Sequence, residues 1–298
     1  LGASAVCPSK LSGVLSGQGM ENEKTLTPSA CIFKQNTMLI DTHTHLYDNA
    51  FDTDREEVIR RALRSGVERM YMPNCDASTI TAMLEVEAAF PDHCFAMMGL
   101  HPCSVNQHVQ EELALVREWL ERRPFKAVGE IGLDYHWDKT YVPQQQEALR
   151  IQFEWALEFK LPVVLHARES TKDILDIVTE YAPRGLRGVF HCFSGSYETA
   201  RQIMNLGFFL GIGGVLTYKN AGLADVVQKI PLDFLVLETD APYLTPVPYR
   251  GKRNESSYVS LVAQRLAEIR GCGTAEIRQV TGENALRLFQ ENILYSPL

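Results

Sequence analysis

The chain has 298 residues, 45% hydrophobic and 22% charged, the proportions of an ordinary packed protein, which excludes a disordered, collagen-like or coiled-coil chain. Its 29 Lys and Arg against 37 Asp and Glu leave a net charge of −8, the wrong sign for coating nucleic acid non-specifically, so any such contact must be local. Seven Cys, an odd number with no C-x-x-C pair, suggest neither a disulfide framework nor a zinc ribbon and point to a reducing compartment.

Residues 1–37 carry loose Ser, Gly and Pro with no sustained hydrophobic period. They are expected to lie outside the domain, as a disordered or overlong N-terminal extension, with one domain spanning residues 38–298. No basic stretch followed by a continuous apolar run marks a signal peptide, and no run of 18 apolar residues marks a membrane span. The expected location is the cytoplasm.

From Met38 short apolar runs alternate with amphipathic segments. Strands are expected at Met38–Ile40, Arg69–Met72, Cys94–Gly99, Ala127–Ile131, Pro162–His166, Gly188–His191, Phe208–Gly213 and Phe234–Glu238. Between them, helices are expected over Arg55–Ser65 after Asp52–Asp54, over Ala77–Phe90 after Asp76, and over Gln144–Phe159 after Pro143. Two more, Tyr258–Ile269 and Thr274–Phe289, would complete and cap the fold. Eight such alternations over about 250 residues have the rhythm of an α/β TIM (β/α)8 barrel, whose active site is built where the strands end. A doubly wound sheet would show a G-x-G-x-x-G turn after its first strand, and Asp41-Thr42-His43-Thr44-His45 stands there instead.

Ionisable residues fall at nearly every strand end, a costly place for them unless they are paired or ligate a metal. They are His43 and His45, His101, Glu130 and Asp134, His166, His191 and Asp240. Two imidazoles at spacing two project from one side of an extended segment and can reach one cation. Any single His has a structural explanation, but independent structural histidines have no reason to share one register. The set therefore points to a centre of two divalent ions, with Mg, Mn, Zn, Fe and Ni all compatible with mixed imidazole and carboxylate donors. Cys103 and Cys192 lie beside His101 and His191 without a dedicated base, and are read as small buried hydrophobes rather than nucleophiles.

The runs Met38–His45, Gly99–Pro102, Gly129–Tyr135, Leu165–Arg168, His191–Gly195 and Glu238–Leu244 resemble the TatD family of metal-dependent deoxyribonucleases, a branch of the amidohydrolase superfamily. The resemblance spans Met38 to about Phe289. It implies that His43, His45, Glu130 and Asp240 hold one metal and that Glu130, His166 and His191 hold the second, with Glu130 shared. Ser256 departs from the Pro usual in the family's Arg250–Ser256 run. The activity implied is 3′ to 5′ exonucleolytic hydrolysis of single-stranded or frayed DNA ends, with Asp240 and Glu130 as the catalytic carboxylates and Asp240 as the proton acceptor.

His101, Asp134 and Arg168 are expected to hold substrate, Arg168 through a forked pair of bonds to phosphate. The alternative for Asp134 is to orient a ligating His. Arg250, Lys252 and Arg253 are expected at the phosphate backbone, with Tyr243 and Tyr249 placed to stack a base. Trp137 is read either as packing or as a stacking surface, and Gly211–Gly214 either as a phosphate cradle or as a tight bend. Competing activities for the same centre are hydrolysis of a small ester, lactone, amide or aminoacyl-tRNA ester; a catalytically silent metal-binding protein is a third reading.

Overall fold

A computed structural model describes residues 38–290; the extension expected at residues 1–37 lies outside them. The short apolar runs become strands β1 Leu39–Asp41, β2 Val67–Pro73, β3 Cys94–Met97, β4 Val128–Asp134, β5 Val163–Arg168, β6 Gly188–Phe190, β7 Phe209–Ile212 and β8 Leu235–Leu237. Helices α1 Arg55–Arg64, α2 Ile80–Ala89, α3 Val109–Arg122, α4 Val142–Phe159, α5 Thr171–Tyr181, α6 Tyr197–Asn205, α7 Leu223–Val227 and α8 Val259–Arg270 follow them one by one, and α9 Thr274–Leu288 ends the described chain. In α1 the apolar Val58, Ile59 and Ala62 form the buried stripe. Its first turn is acidic and its last turn basic, as the helix dipole favours.

All pairings are parallel, β1–β2–β3 in one ladder and β4 through β8 in another. Single parallel bridges join the ladders at both seams, Met98 to Val128 and Thr44 to Ala241. Backbone bonds reinforce them, from Gly129 N–H to the Met98 carbonyl at 3.0 Å and from Asp240 N–H to the His43 carbonyl at 2.9 Å. The architecture is thus the expected α/β barrel, with thin seams in place of continuous ladders.

Two apolar layers hold it. The larger packs the helices onto the outer faces of the strands. The smaller lies inside and takes Ile40, Tyr71, Met97, Val164, Val189 and Val236 from the strands, alternate residues pointing inward as a strand's period of two dictates. This inner layer is closed by α9: Phe289 stacks on Tyr71 with ring centroids 3.7 Å apart, and Asn284 donates to the Leu232 and Leu235 carbonyls at 2.7 Å each. With that end plugged, the open end is the one where the strands finish.

Several boundaries differ from expectation. Helix α2 begins at Ile80 rather than Ala77, because the Asp76 carboxylate accepts bonds from the Ser78 N–H and hydroxyl at 2.9 and 2.6 Å, a local turn that competes with helix. Strand β4 continues to Asp134 and β5 to Arg168, paired residue for residue from Ile131–Leu165 to Asp134–Arg168. The residues expected after those strands therefore sit on them, held by ladder bonds. Before Ile131 the β4–β5 register shifts, and Glu130 lies in that irregular stretch, where a bulge re-aims a side chain.

Candidate metal centre

Glu130, 2% exposed, is the middle of the site. Its two carboxylate oxygens face different groups. Oε2 lies 3.2 Å from His43 Nε2 and 3.8 Å from His45 Nε2. Oε1 lies 2.8 Å from His166 Nδ1, 3.0 Å from His191 Nε2 and 3.4 Å from His101 Nε2. Asp240 Oδ1 closes the first group, 3.4 Å from His45 Nε2 and 3.7 Å from His43 Nε2. The six expected ligands and His101 are thus brought together at one end of the barrel. Potential donor atoms of His43, His45 and Asp240 lie within 4.8 Å of one another, and so do those of His101, Glu130 and His166.

Which ring nitrogen can ligate follows from what its other nitrogen touches. The single proton of the Tyr47 hydroxyl goes to the Pro73 carbonyl at 2.5 Å, so that hydroxyl accepts from His45 Nδ1 at 2.8 Å and leaves the Nε2 lone pair facing the site. Asp134 Oδ2 accepts from His166 Nε2–H at 2.8 Å and so turns the Nδ1 lone pair toward Glu130. His191 turns its Nε2 toward Glu130 at 3.0 Å, while its Nδ1 makes no hydrogen bond and has only the charge of Glu238 Oε1 3.5 Å away. His101 is opposite: its Nδ1 accepts from Cys103 N–H at 3.0 Å, so Nε2 carries the proton and offers no lone pair to a cation. His43, stacked on His191 at 3.8 Å, has its Nε2 among the carboxylates and no hydrogen bond at Nδ1. This donor set fits divalent metal: inward lone pairs on imidazoles, two inward carboxylates, and burial too deep for so much unbalanced polarity.

Opposite charges offset one another across the site. Burial opposes the charge of Glu130, but the imidazoles of His191, His101 and His43 outweigh it and hold the carboxyl well below its ordinary range. Burial likewise opposes a charge on His191, yet Glu130 and Glu238 raise it well above the ordinary imidazole value. Metal binding displaces such protons.

Tyr47, Asp41 and Glu238 carry parts that sequence reasoning did not assign. Asp41, fully buried and pushed up to about 7 by that burial, accepts from the Thr239 N–H and hydroxyl at 2.9 and 2.6 Å and ties β1 to the chain leaving β8. Glu238 accepts from Cys192 N–H and is backed by Gly211, where an added Cβ would fall 2.2 Å from Glu238 Oε2. The glycine run is therefore a close-approach surface rather than a phosphate cradle. The available signal for Tyr47 was its place two residues beyond His45. Replacing Tyr47 with Phe is expected to weaken metal affinity roughly 10–100-fold with little change in stability, read by titrating metal into the chelated protein.

The other expected residues scatter. Asp134 is 2% exposed and also accepts from the backbone N–H groups of His136 and Trp137 at 2.9 and 3.3 Å, so it orients His166 and is not free to hold substrate. Arg168 is exposed at the cavity wall, its guanidinium 5.1 Å over the Trp137 ring, with no ion pair among the described residues. The open end forms a cavity of about 680 Å³ walled by the ligand cluster, Arg168, Trp137, Tyr243 and Leu244. Trp137 is 71% and Tyr243 54% exposed, and packing does not explain either. Cys103 is exposed and Cys192 half-buried, so neither is the buried hydrophobe expected. Loss of solvation pushes both thiols up to about 12, which keeps them protonated.

Arg250, Lys252 and Arg253 do not line this cavity. Arg253 is committed elsewhere: its guanidinium forks onto Asp54 at 2.7 Å twice, donates to the Ala50 carbonyl at 2.6 Å and lies over Phe51. Arg253→Ala is expected to cost about 1 kcal/mol in denaturant unfolding and to leave the salt dependence of nucleic-acid binding unchanged.

The TatD related DNase family model matches residues 40–290. The chain belongs to this family. The metal-dependent hydrolase YabD of Bacillus subtilis, itself uncharacterized, is 44% identical over 256 residues, covering 86% of this chain and 100% of the relative. A relative from Erwinia tasmaniensis named 3′-5′ ssDNA/RNA exonuclease TatD is 33% identical over 257 residues, covering 84% and 99%. The crystal structure of YjjV, a TatD homologue from Escherichia coli K12, superposes with a TM-score of 0.80 at 33% identity over 86% of this chain and 99% of that one. A TatD family member is a metal-dependent hydrolase, and the barrel-end cluster brings together side chains that could hold a metal ion.

Proposed function

We propose that the protein is a 3′ to 5′ exonuclease acting on single-stranded or frayed DNA ends with two divalent ions. The observation that carries the reading is the division of Glu130, one oxygen facing His43 and His45 and the other facing His166 and His191, as a carboxylate shared by two ions must be. The name of the Erwinia relative supports the substrate class. His43, His45 and Asp240 with Glu130 would hold one ion, and His166 and His191 with Glu130 the other. Such a pair lowers the pKa of a bound water and neutralises charge on the scissile phosphate.

The chain's own groups do the rest. Asp240 takes the proton of the attacking water at its carboxylate. His101 presents its Nε2–H to a phosphate oxygen, the role its tautomer leaves it. Arg168 supplies a second donor at the wall, a forked one, and Trp137, stiffened by Arg168 above it, presents a face to the terminal base. A cavity of about 680 Å³ suits a nucleotide and excludes an intact duplex.

The test is digestion of 3′-labelled and 5′-labelled single-stranded oligonucleotides with added Mg, Mn or Zn and an EDTA control. Metal-dependent, stepwise loss from the 3′ end is expected. No cleavage with any ion, by protein that has bound metal, would move the assignment to a small ester or an aminoacyl ester.

A further inference from the structure

Next to the cavity, across a ridge, lies an open cleft of about 560 Å³ bordered by Tyr218, Lys219, Val247 and Arg250. The ridge is residues Gly214–Thr217 laid against Leu244–Val247. Tyr218 donates its hydroxyl to the Thr245 carbonyl at 3.0 Å, and Val247 N–H bonds Thr217 Oγ1 at 2.9 Å. At Gly214 the two backbones meet so closely that a Cβ would lie 2.1 Å from the Leu244 carbonyl oxygen. Val215 and Leu244 face the cavity, while Thr217 and Val247 face the cleft. Three residues of chain reach at most about 11 Å, so the two hollows are neighbours separated by a fixed wall.

The charge of the cleft is unlike that of the molecule. Acidic residues outnumber basic ones 37 to 29 in the chain, yet Lys219 and Arg250 line the cleft and no carboxylate does. Neither cation has an ion pair among the described residues; Arg250 lies 4.4 Å over the Tyr218 ring, which sets its direction without neutralising it. The ridge crest is apolar and exposed, with Leu244 at 39% and Val247 at 46%, and Tyr243 and Tyr249 flank it in sequence. Unpaired cations beside exposed aromatic and aliphatic surface are what a single strand requires, phosphate on charge and base on apolar face.

We infer that this cleft is a second subsite that grips a backbone phosphate of the same single strand whose end occupies the cavity, a few nucleotides from the bond being cut. The inference rests on the exonuclease reading and adds to it a site that makes hydrolysis depend on strand length. It also divides the basic loop: Arg250 acts with Lys219, which is 31 positions earlier, and Arg253 does not take part.

The experiment measures kcat/KM with Mn on a fluorescent dinucleotide and on a twelve-nucleotide single strand. The wild type is compared with Lys219→Gln/Arg250→Gln and with Arg60→Gln/Lys172→Gln, which removes equal charge from the outer helices. The cleft variant is expected to lose about tenfold in the ratio of long to short substrate, through KM, and to bind the long strand with a salt slope shallower by about 0.7, the value for one phosphate on a single strand. The control should keep the wild-type ratio. An unchanged ratio in the cleft variant, or an equal loss in the control, overturns the subsite while leaving the exonuclease intact. A wild type that cuts neither substrate overturns both.

Discussion

Glu130→Gln is expected to reduce bound metal from the two ions per chain proposed above to one or none and to lower kcat/KM by about 1,000-fold or more. The amide keeps the volume, so the barrel around a residue 2% exposed should stay folded. What it loses is one anionic oxygen. Five imidazole nitrogens lie within 3.8 Å of this carboxylate, and no other group in the site faces both sets. A Gln can offer its carbonyl to one set only and must turn an NH2 toward the other, where it meets a lone pair meant for a cation. Losing an ion removes several kcal/mol of stabilisation from the developing phosphate charge, which is the basis of the rate estimate. Metal content by elemental analysis and turnover with saturating Mn, alongside circular dichroism, measure the three consequences separately. Two ions retained with activity within tenfold of wild type would remove Glu130 as the shared ligand.

The barrel and the convergence of the histidines and carboxylates at one of its ends were legible because both are written locally. Each strand is a short apolar run followed by a residue that would be expensive there without a partner, and the eight runs fell close to where the strands lie. Boundaries were less legible where a side chain competes with backbone, as Asp76 does at the start of α2. Roles set across the chain were illegible. Nothing around Arg253 announces that its carboxylate, Asp54, stands 199 residues earlier. Read from composition alone, three cations in four residues looked like one phosphate-binding loop. In the fold they diverge, Arg253 into an ion pair and Arg250 into a separate cleft.

The histidines show the same division at finer scale. Six motifs placed them at one end of a barrel, but which of them can ligate depends on a second contact made by each ring. His45 owes its inward lone pair to Tyr47, close in sequence, whereas His166 owes its own to Asp134 on the neighbouring strand. His101 was expected to touch substrate on the strength of its position. Its tautomer, fixed by Cys103 N–H, gives that expectation a physical reason and separates it from the candidate ligands around it.

Asp240→Asn is expected to lower kcat by about 100–10,000-fold while leaving metal bound and the fold unchanged. The backbone argument comes first. Asp240 sits just beyond β8 with φ at +57°, a left-handed conformation that Asn tolerates as well as Asp, so the substitution adds no strain there. Its N–H bond to the His43 carbonyl, which helps close the barrel seam, is untouched. The side chain loses only its charge. Burial alone would raise the Asp240 pKa, but His45, His191 and His43 reverse that and hold it below the ordinary carboxylate value. The group is therefore an anion at neutral pH, and under the proposed mechanism it is the proton acceptor that His43 and His45, whose lone pairs would be given to metal, could not be. Asn can still offer an oxygen beside His45, so metal content should stay within a factor of a few while kcat collapses and KM moves little. Activity near that of wild type would assign the proton to another group, and loss of both ions would make Asp240 chiefly a ligand.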